Sequence, residues 1–141
     1  MTESEIKPLN WKPDPNVGYT VARRPDGGMN YTFTDVSHAT LMHWRDFALQ
    51  HLYNADRLTR NRYDLRKIQQ LTDEAINVAI EANSDPAARN IRLAVLVSSD
   101  AIRVALEEIL ALSSPTGVEM GIFEEEEEAE AWLNRPLTLV V

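Results

Sequence analysis

Three histidines, one serine pair and two clusters of opposite charge are the residues of this chain whose types could do chemistry. Two imidazoles share one metal ion on a helix when they stand three or four residues apart. His38, His43 and His51 are separated by 5 and 8 positions, which turns them away from a common ion, so packing or surface roles are expected. Ser98-Ser99 follows the most apolar run of the sequence, where α/β sheets present their sites. A nucleophilic serine on a sharp elbow needs flanking glycines and a histidine base. No glycine flanks this pair, so it reads as a helix cap. The alternative is a hydroxyl pair lining a small anion pocket at that helix N-terminus.

The charge clusters are more prominent. Arg57, Arg60, Arg62, Arg66 and Lys67 crowd one stretch, and Glu124 to Glu128 with Glu130 form an acidic pole. Acid–base catalysis asks for two carboxyls in different environments. A run of glutamates on one helix turn repels itself and is expected to stay solvated. It also lacks the glycine and interleaved oxygen ligands of a calcium loop. The two poles either attract each other across the fold or between subunits, or they form a docking surface for a partner. Neither a dinucleotide nor a nucleoside-triphosphate glycine loop is present, and Gly27-Gly28 is accounted for by turn chemistry, so no cofactor is expected.

Composition narrows the classes further. The 141 residues carry 22 acidic and 14 basic side chains, for a net charge of −8. Such a surface repels phosphate backbones, so nucleic acid is not an expected partner. No stretch approaches the 18 or so consecutive apolar residues of a membrane span. Cysteine is absent, which removes disulfides, thiol nucleophiles and thiolate metal sites and suits a reducing compartment. Met1 to Pro15, with Glu3 and Glu5, has no apolar run of a secretory signal. A cytoplasmic location is the expectation.

Positioning these groups falls to a simple run of elements. Residues 1–16, with Pro8, Pro13 and Pro15, read as an irregular arm whose one large anchor is Trp11. Aromatic residues on such arms suit interfaces. Residues 17–141 read as one domain. Tyr19–Ala22 and Tyr31–Thr34 are β-favouring and flank Pro25-Asp26-Gly27-Gly28, which predicts a hairpin. Leu41, Trp44 and Ala48, with His51 or Leu52, recur at helical spacing, predicting a helix over 38–52. Between Leu58 and Ile68, Thr59, Tyr63 and Leu65 alternate with Arg60, Arg62, Asp64 and Arg66, as in a strand with one buried face. Thr72 caps a helix carrying Ala75, Val78, Ala79 and Ala82, which ends before Pro86. Ile91 to Val97 is a buried strand, followed by a helix with Ile102, Ala105, Leu106 and Ile109 inward. Val118 to Phe123 is a strand, and a glutamate-led helix with Ala129, Trp132 and Leu133 follows. Leu137 to Val141 reads as a short last strand. The order β-β-α-β-α-β-α-β-α, plus that strand, predicts an α/β fold with a mixed, largely parallel sheet.

In this order and spacing the chain resembles the SpoIIAA-like superfamily, the fold of STAS domains, and most of all its stand-alone bacterial members. The resemblance rests on the hairpin leading into a helix and on Tyr63-Asp64-Leu65-Arg66 at the end of the central strand. Leu93 to Val97 before a helix, and Ile122-Phe123 before an acidic stretch and Ala129-Glu130-Ala131-Trp132-Leu133, complete it. It implies a non-enzymatic protein-binding or regulatory module. In the phosphorylated members a serine or threonine caps the helix after the central strand. Thr72 stands at that place, but Gln69-Gln70-Leu71-Thr72 lacks the family's Asp-Ser-x-Gly, and Asp73 and Glu74 would repel a phosphate. The expected partner surface is Arg57, Arg60, Arg62, Arg66, Lys67 and Thr72, with a protein or a second copy of the chain as partner. A small apolar, lipid-like ligand between helix and sheet is the alternative.

Overall fold

The computed structural model describes residues 14–52, 58–86, 90–113 and 118–136. Its elements are β1 (Tyr19–Arg23), β2 (Met29–Phe33), α1 (His38–Leu52), β3 (Thr59–Asp64), α2 (Asp73–Ser84), β4 (Ile91–Leu96), α3 (Asp100–Leu112), β5 (Val118–Phe123) and α4 (Glu126–Leu133). This is the order expected from the sequence. The terminal strand expected at 137–141 and most of the arm lie outside the described residues.

The five strands lie in the order in which they occur in the chain. β1 and β2 pair antiparallel, and every later pair is parallel. Gly27 has φ +90°, the left-handed conformation that glycine takes without strain and that a tight reversal needs. Gly28 is required for another reason. A Cβ there would stand 1.6 Å from the carbonyl oxygen of Arg60, so the hairpin loop packs directly on the start of β3. Turn chemistry therefore explains the first glycine and close packing the second.

Residues alternate between the two sheet faces. Tyr19, Val21, Met29, Tyr31, Phe33, Ile91, Leu93 and Val95 form one core with Phe47 of α1, Ile76 and Ala79 of α2, and Ile102, Leu106 and Ile109 of α3. The opposite face of β4 presents Ala94 and Leu96 to Ala129 and Leu133 of α4. Three helices thus cover one face and α4 the other. Gly121 and Ala94 are small where α4 lies close; a Cβ at Gly121 would meet the rings of Phe123 and Trp132 at 2.7 and 3.1 Å. Because both faces are covered in its middle, β4 is buried along its whole length.

Candidate functional site

β3 is the strand through which the basic cluster enters the fold. Asn61 and Tyr63 point toward α1 and α2, and Asn61 accepts a hydrogen bond from the Met29 amide at 2.9 Å. Arg60 and Arg62 point the other way, under α4. The Arg62 Nη1 donates to Glu130 at 2.8 Å and stands 3.5 Å from Glu126. Arg24, only 4% exposed, grips both oxygens of Glu130 at 2.8 and 3.0 Å. The Arg24 hydrogen bond leads in holding the Glu130 carboxyl below the usual glutamate range.

At the other end of α4, Arg60 donates to the carbonyls of Leu133 and Arg135 at 2.7 and 3.2 Å. Arg92 reaches the Arg135 carbonyl at 2.6 Å and Glu119 at 3.1 Å. Guanidiniums therefore satisfy the Leu133 carbonyl that ends α4 and the Arg135 carbonyl just beyond it, and carry positive charge where the macrodipole is negative. The acidic pole and the basic stretch attract each other across the fold. The expectation of a solvated glutamate run holds for Glu124 to Glu128, which are exposed, and needs correction at Glu130, which is half-buried against Arg24 and Arg62. Glu126 reaches Arg62 and Arg66 from the surface. The exposed Glu127 and Glu128 stay on the outside.

The remaining members of the expected partner surface lie at the carboxyl ends of the parallel strands, where open α/β sheets bind ligands. Arg66 forks onto Asp64 at 3.0 and 2.8 Å and approaches Glu126 at 3.6 Å. Lys67 is exposed. Thr72 caps α2, accepting from the Ala75 amide at 3.1 Å. The loop between them is held from the neighbouring strand end: the Ser98 hydroxyl donates to the Arg66 carbonyl at 2.7 Å and the Ser99 hydroxyl to the Gln69 carbonyl at 3.2 Å. Ser99 also caps α3, accepting from the Ile102 amide. The serine pair, expected as a cap, is both a cap and a tie for this loop. The structure thus separates Arg60 and Arg62, under α4, from Arg66, Lys67 and Thr72, at the sheet's carboxyl edge. Arg57 and Trp11 lie outside the described residues.

Two hollows adjoin these elements. A cavity of about 90 Å³ lies between the sheet and α1, α2 and α3, lined by Phe33, Trp44, Tyr63, Leu71, Ala79 and Leu106 among others. Within it the Trp44 indole donates to the Tyr63 hydroxyl at 3.0 Å. Burial pushes the Tyr63 phenol well above its ordinary value, so it stays neutral at physiological pH. A groove of about 470 Å³ on the outer face of the hairpin is bounded by Asp14, Pro15, Val17, Thr20, Thr32, Thr34 and Lys67. The first lies between helices and sheet, where the sequence led to the alternative of a small apolar ligand. The second had no sequence signal, since a hollow depends on how elements stand apart rather than on any motif.

His38 and His43 do not converge, and the side chain of His51 lies outside the described residues. His38 pairs with Glu74 and His43 with the Tyr19 hydroxyl at 2.6 Å. Among the described residues no three metal-capable side chains cluster, and no helix is long and apolar enough to cross a membrane.

No family model matches the sequence, and no curated protein matches it. Among solved structures it is similar to an uncharacterised protein of the DUF3478 family from Shewanella loihica PV-4, which has a SpoIIAA-like fold. The likeness covers 82% of this chain and 94% of that one, with a TM-score of 0.62 and 15% sequence identity. An identity this low carries the fold and no activity. With its hairpin, its parallel strands in chain order and one helix opposing three, this chain is an α/β domain with a SpoIIAA-like fold.

Proposed function

We propose that the chain is a non-enzymatic binding module whose working surface is the loop from Arg66 to Thr72 at the carboxyl edge of the sheet. The observation that carries this reading is the double tie from Ser98 and Ser99 to the carbonyls of Arg66 and Gln69. It holds a solvent-facing, cationic loop in one shape, and a preorganised surface loses less entropy on binding. Lys67, Gln69 and Gln70 are exposed there and suit a protein partner with an acidic or polar face. Arg60 and Arg62 support the surface by anchoring α4 and do not contact the partner. The test is affinity capture from host lysate with wild type, Lys67→Glu and, as control, Glu107→Lys on the exposed side of α3. A recurrent partner lost with the first variant and kept with the control supports the loop. A partner indifferent to Lys67→Glu removes it from consideration.

The apolar cavity favours a second reading, a module for a small apolar ligand. An apolar cavity of about 150 Å³ takes up benzene, so 90 Å³ admits less than one ring unless α1 and α2 part. Ala79→Leu would fill it. Native mass spectrometry of gently purified protein should then show an added apolar mass in wild type and none in the variant. Wild type free of added mass counts against this reading.

A further inference from the structure

We propose that the outer edge of β5 pairs antiparallel with β5 of a second copy, about a two-fold axis through Met120, so that two sheets become one. Along a parallel strand, successive residues turn their amide and carbonyl groups to opposite sides. The Val97 amide donates to the Phe123 carbonyl at 2.9 Å, so Phe123, Gly121 and Glu119 turn their backbone groups toward β4. Those of Val118, Met120 and Ile122 turn outward, and among the described residues no strand lies beyond β5 to take them up. An edge strand of six residues with neither proline nor lysine is a ready template for another strand.

The side chains identify that strand. Val118, Met120 and Ile122 lie on the helix side of the sheet, packed against the main core yet only partly buried. Leu110 adjoins them. It follows Arg103 by two turns of α3 and so shares its side of the helix, and the Arg103 guanidinium reaches Glu124, just past β5, at 3.7 Å. Leu110 is 38% exposed. With Met120 opposite the second copy's Met120, Val118 falls opposite the second copy's Ile122, and directly opposed residues share a face. Every pair on the helix side is then apolar, and on the other side Glu119 meets Gly121 rather than its own like. Moving the axis to Gly121 would set Glu124 against Val118. Charge favours the same antiparallel arrangement. Arg60, Arg92 and Arg135 gather where α4 ends, and the exposed Glu124 to Glu128 stand where it begins. α4 runs back along β4 and β5, so the two-fold axis lays the arginine end of one copy beside the glutamate end of the other. This complementarity works against the general repulsion of two chains at −8 each. A foreign strand has no reason to carry both poles in this order, whereas a second copy carries them by symmetry.

This edge shares no residue with the proposed docking loop, and neither reading depends on the other. The test is sedimentation equilibrium of the full chain from micromolar to millimolar concentration. The mass should rise from 16.0 kDa toward twice that value. Met120→Pro removes only an outward amide, which an edge strand tolerates, and should hold the mass at that of one chain. Met120→Lys and Met120→Glu should each do the same alone, since like charges then meet across the axis. Mixed in equal amounts, those two variants should pair and restore the doubled mass. In wild type, hydrogen exchange at the Met120 and Ile122 amides should quicken on dilution, while Gly121 and Phe123, bonded to β4, stay slow throughout. A single-chain mass at every concentration overturns the proposal. So does a dimer that survives all three substitutions, or a mixture of the charged variants that stays monomeric, because the axis would then not pass through Met120.

Discussion

Arg62 and Glu130 meet at 2.8 Å although 68 residues separate them in the chain. Arg24 arrives at the same carboxylate from the hairpin, 106 residues away. Three elements, β1's end, β3 and α4, are thus joined at a single side chain, and the rest of the glutamate run is dispensable by comparison. Breaking a fully buried ion pair from one side costs about 3–5 kcal/mol, chiefly because a charge is left behind. Glu130 is 31% exposed, which trims the figure. Glu130→Gln should destabilise the domain by about 2–3 kcal/mol in urea unfolding. Glu128→Gln, two residues earlier on the exposed side, should change it by less than about 0.5 kcal/mol. Equal effects would mean that the run acts only as bulk charge.

The same carboxylate sets an acid limit. Its pKa is lowered in the folded state, first by the Arg24 hydrogen bond, so the folded protein binds this proton less readily than the unfolded chain does. The linked stability is fully present above the ordinary glutamate range and is lost as pH falls through the depressed folded value. Asp64 and Glu119 are shifted the same way: burial opposes the shift, and hydrogen bonds to Arg66 and to Arg92 outweigh it. Urea midpoints should be flat from pH 7 to about 5 and then fall. In Glu130→Gln the fall should be shallower, since that site no longer titrates. An unchanged slope would assign the acid sensitivity to other carboxylates.

The element order was legible because it rests on local signals. Thr59, Tyr63 and Leu65 alternate with charges, Thr72 and Ser99 cap helices, and Ile91 to Val97 is too apolar for any place but the middle of a sheet. What lay beyond local signals was the destination of the charges. Arg60 and Arg62 look identical in sequence to solvent-facing residues of a half-buried strand, and only the arrival of α4 on that face turns them inward. Glu130 likewise sits four residues from Glu126 on one helix stripe, a spacing that shows the two share a face but not that arginines await them. The tie between Ser98 and the Arg66 carbonyl joins a side chain to a backbone atom of another strand end. Backbone acceptors carry no signature in residue identity.

The two adjacent glycines of the hairpin loop should respond to alanine by different mechanisms. At Gly27 a Cβ meets nothing within 4 Å, and only the φ of +90° opposes it, for a cost of about 1–2 kcal/mol. At Gly28 the Cβ would collide with the backbone carbonyl of Arg60, which cannot rotate away as a side chain could. Gly28→Ala should therefore be the more damaging of the two, at or above the roughly 1–3 kcal/mol typical of overpacking. Thermal unfolding of both variants gives the order. If Gly27→Ala proved the worse, the hairpin loop would not rest on β3 as described.

The ties from Ser98 and Ser99 make a prediction that separates shape from charge at the carboxyl edge. Replacing both serines by alanine removes two hydrogen bonds, each worth about 0.5–1.5 kcal/mol net, and leaves Arg66, Lys67 and Thr72 untouched. Ser99 also caps α3, so Ser98→Ala alone is the cleaner variant, with Ser99→Asp keeping a cap while losing the hydroxyl donor. Hydrogen exchange at the amides of Lys67 to Gln70 should quicken several-fold in Ser98→Ala, with exchange in β4 and α3 unchanged, because local opening draws on local ties. If the loop binds its partner in a preset shape, Ser98→Ala should also weaken that binding, mainly through a lower fraction of competent loop, even though every contacting side chain remains. Faster exchange with undiminished binding would mean that the partner reads the charge of Lys67 and not the shape of the loop.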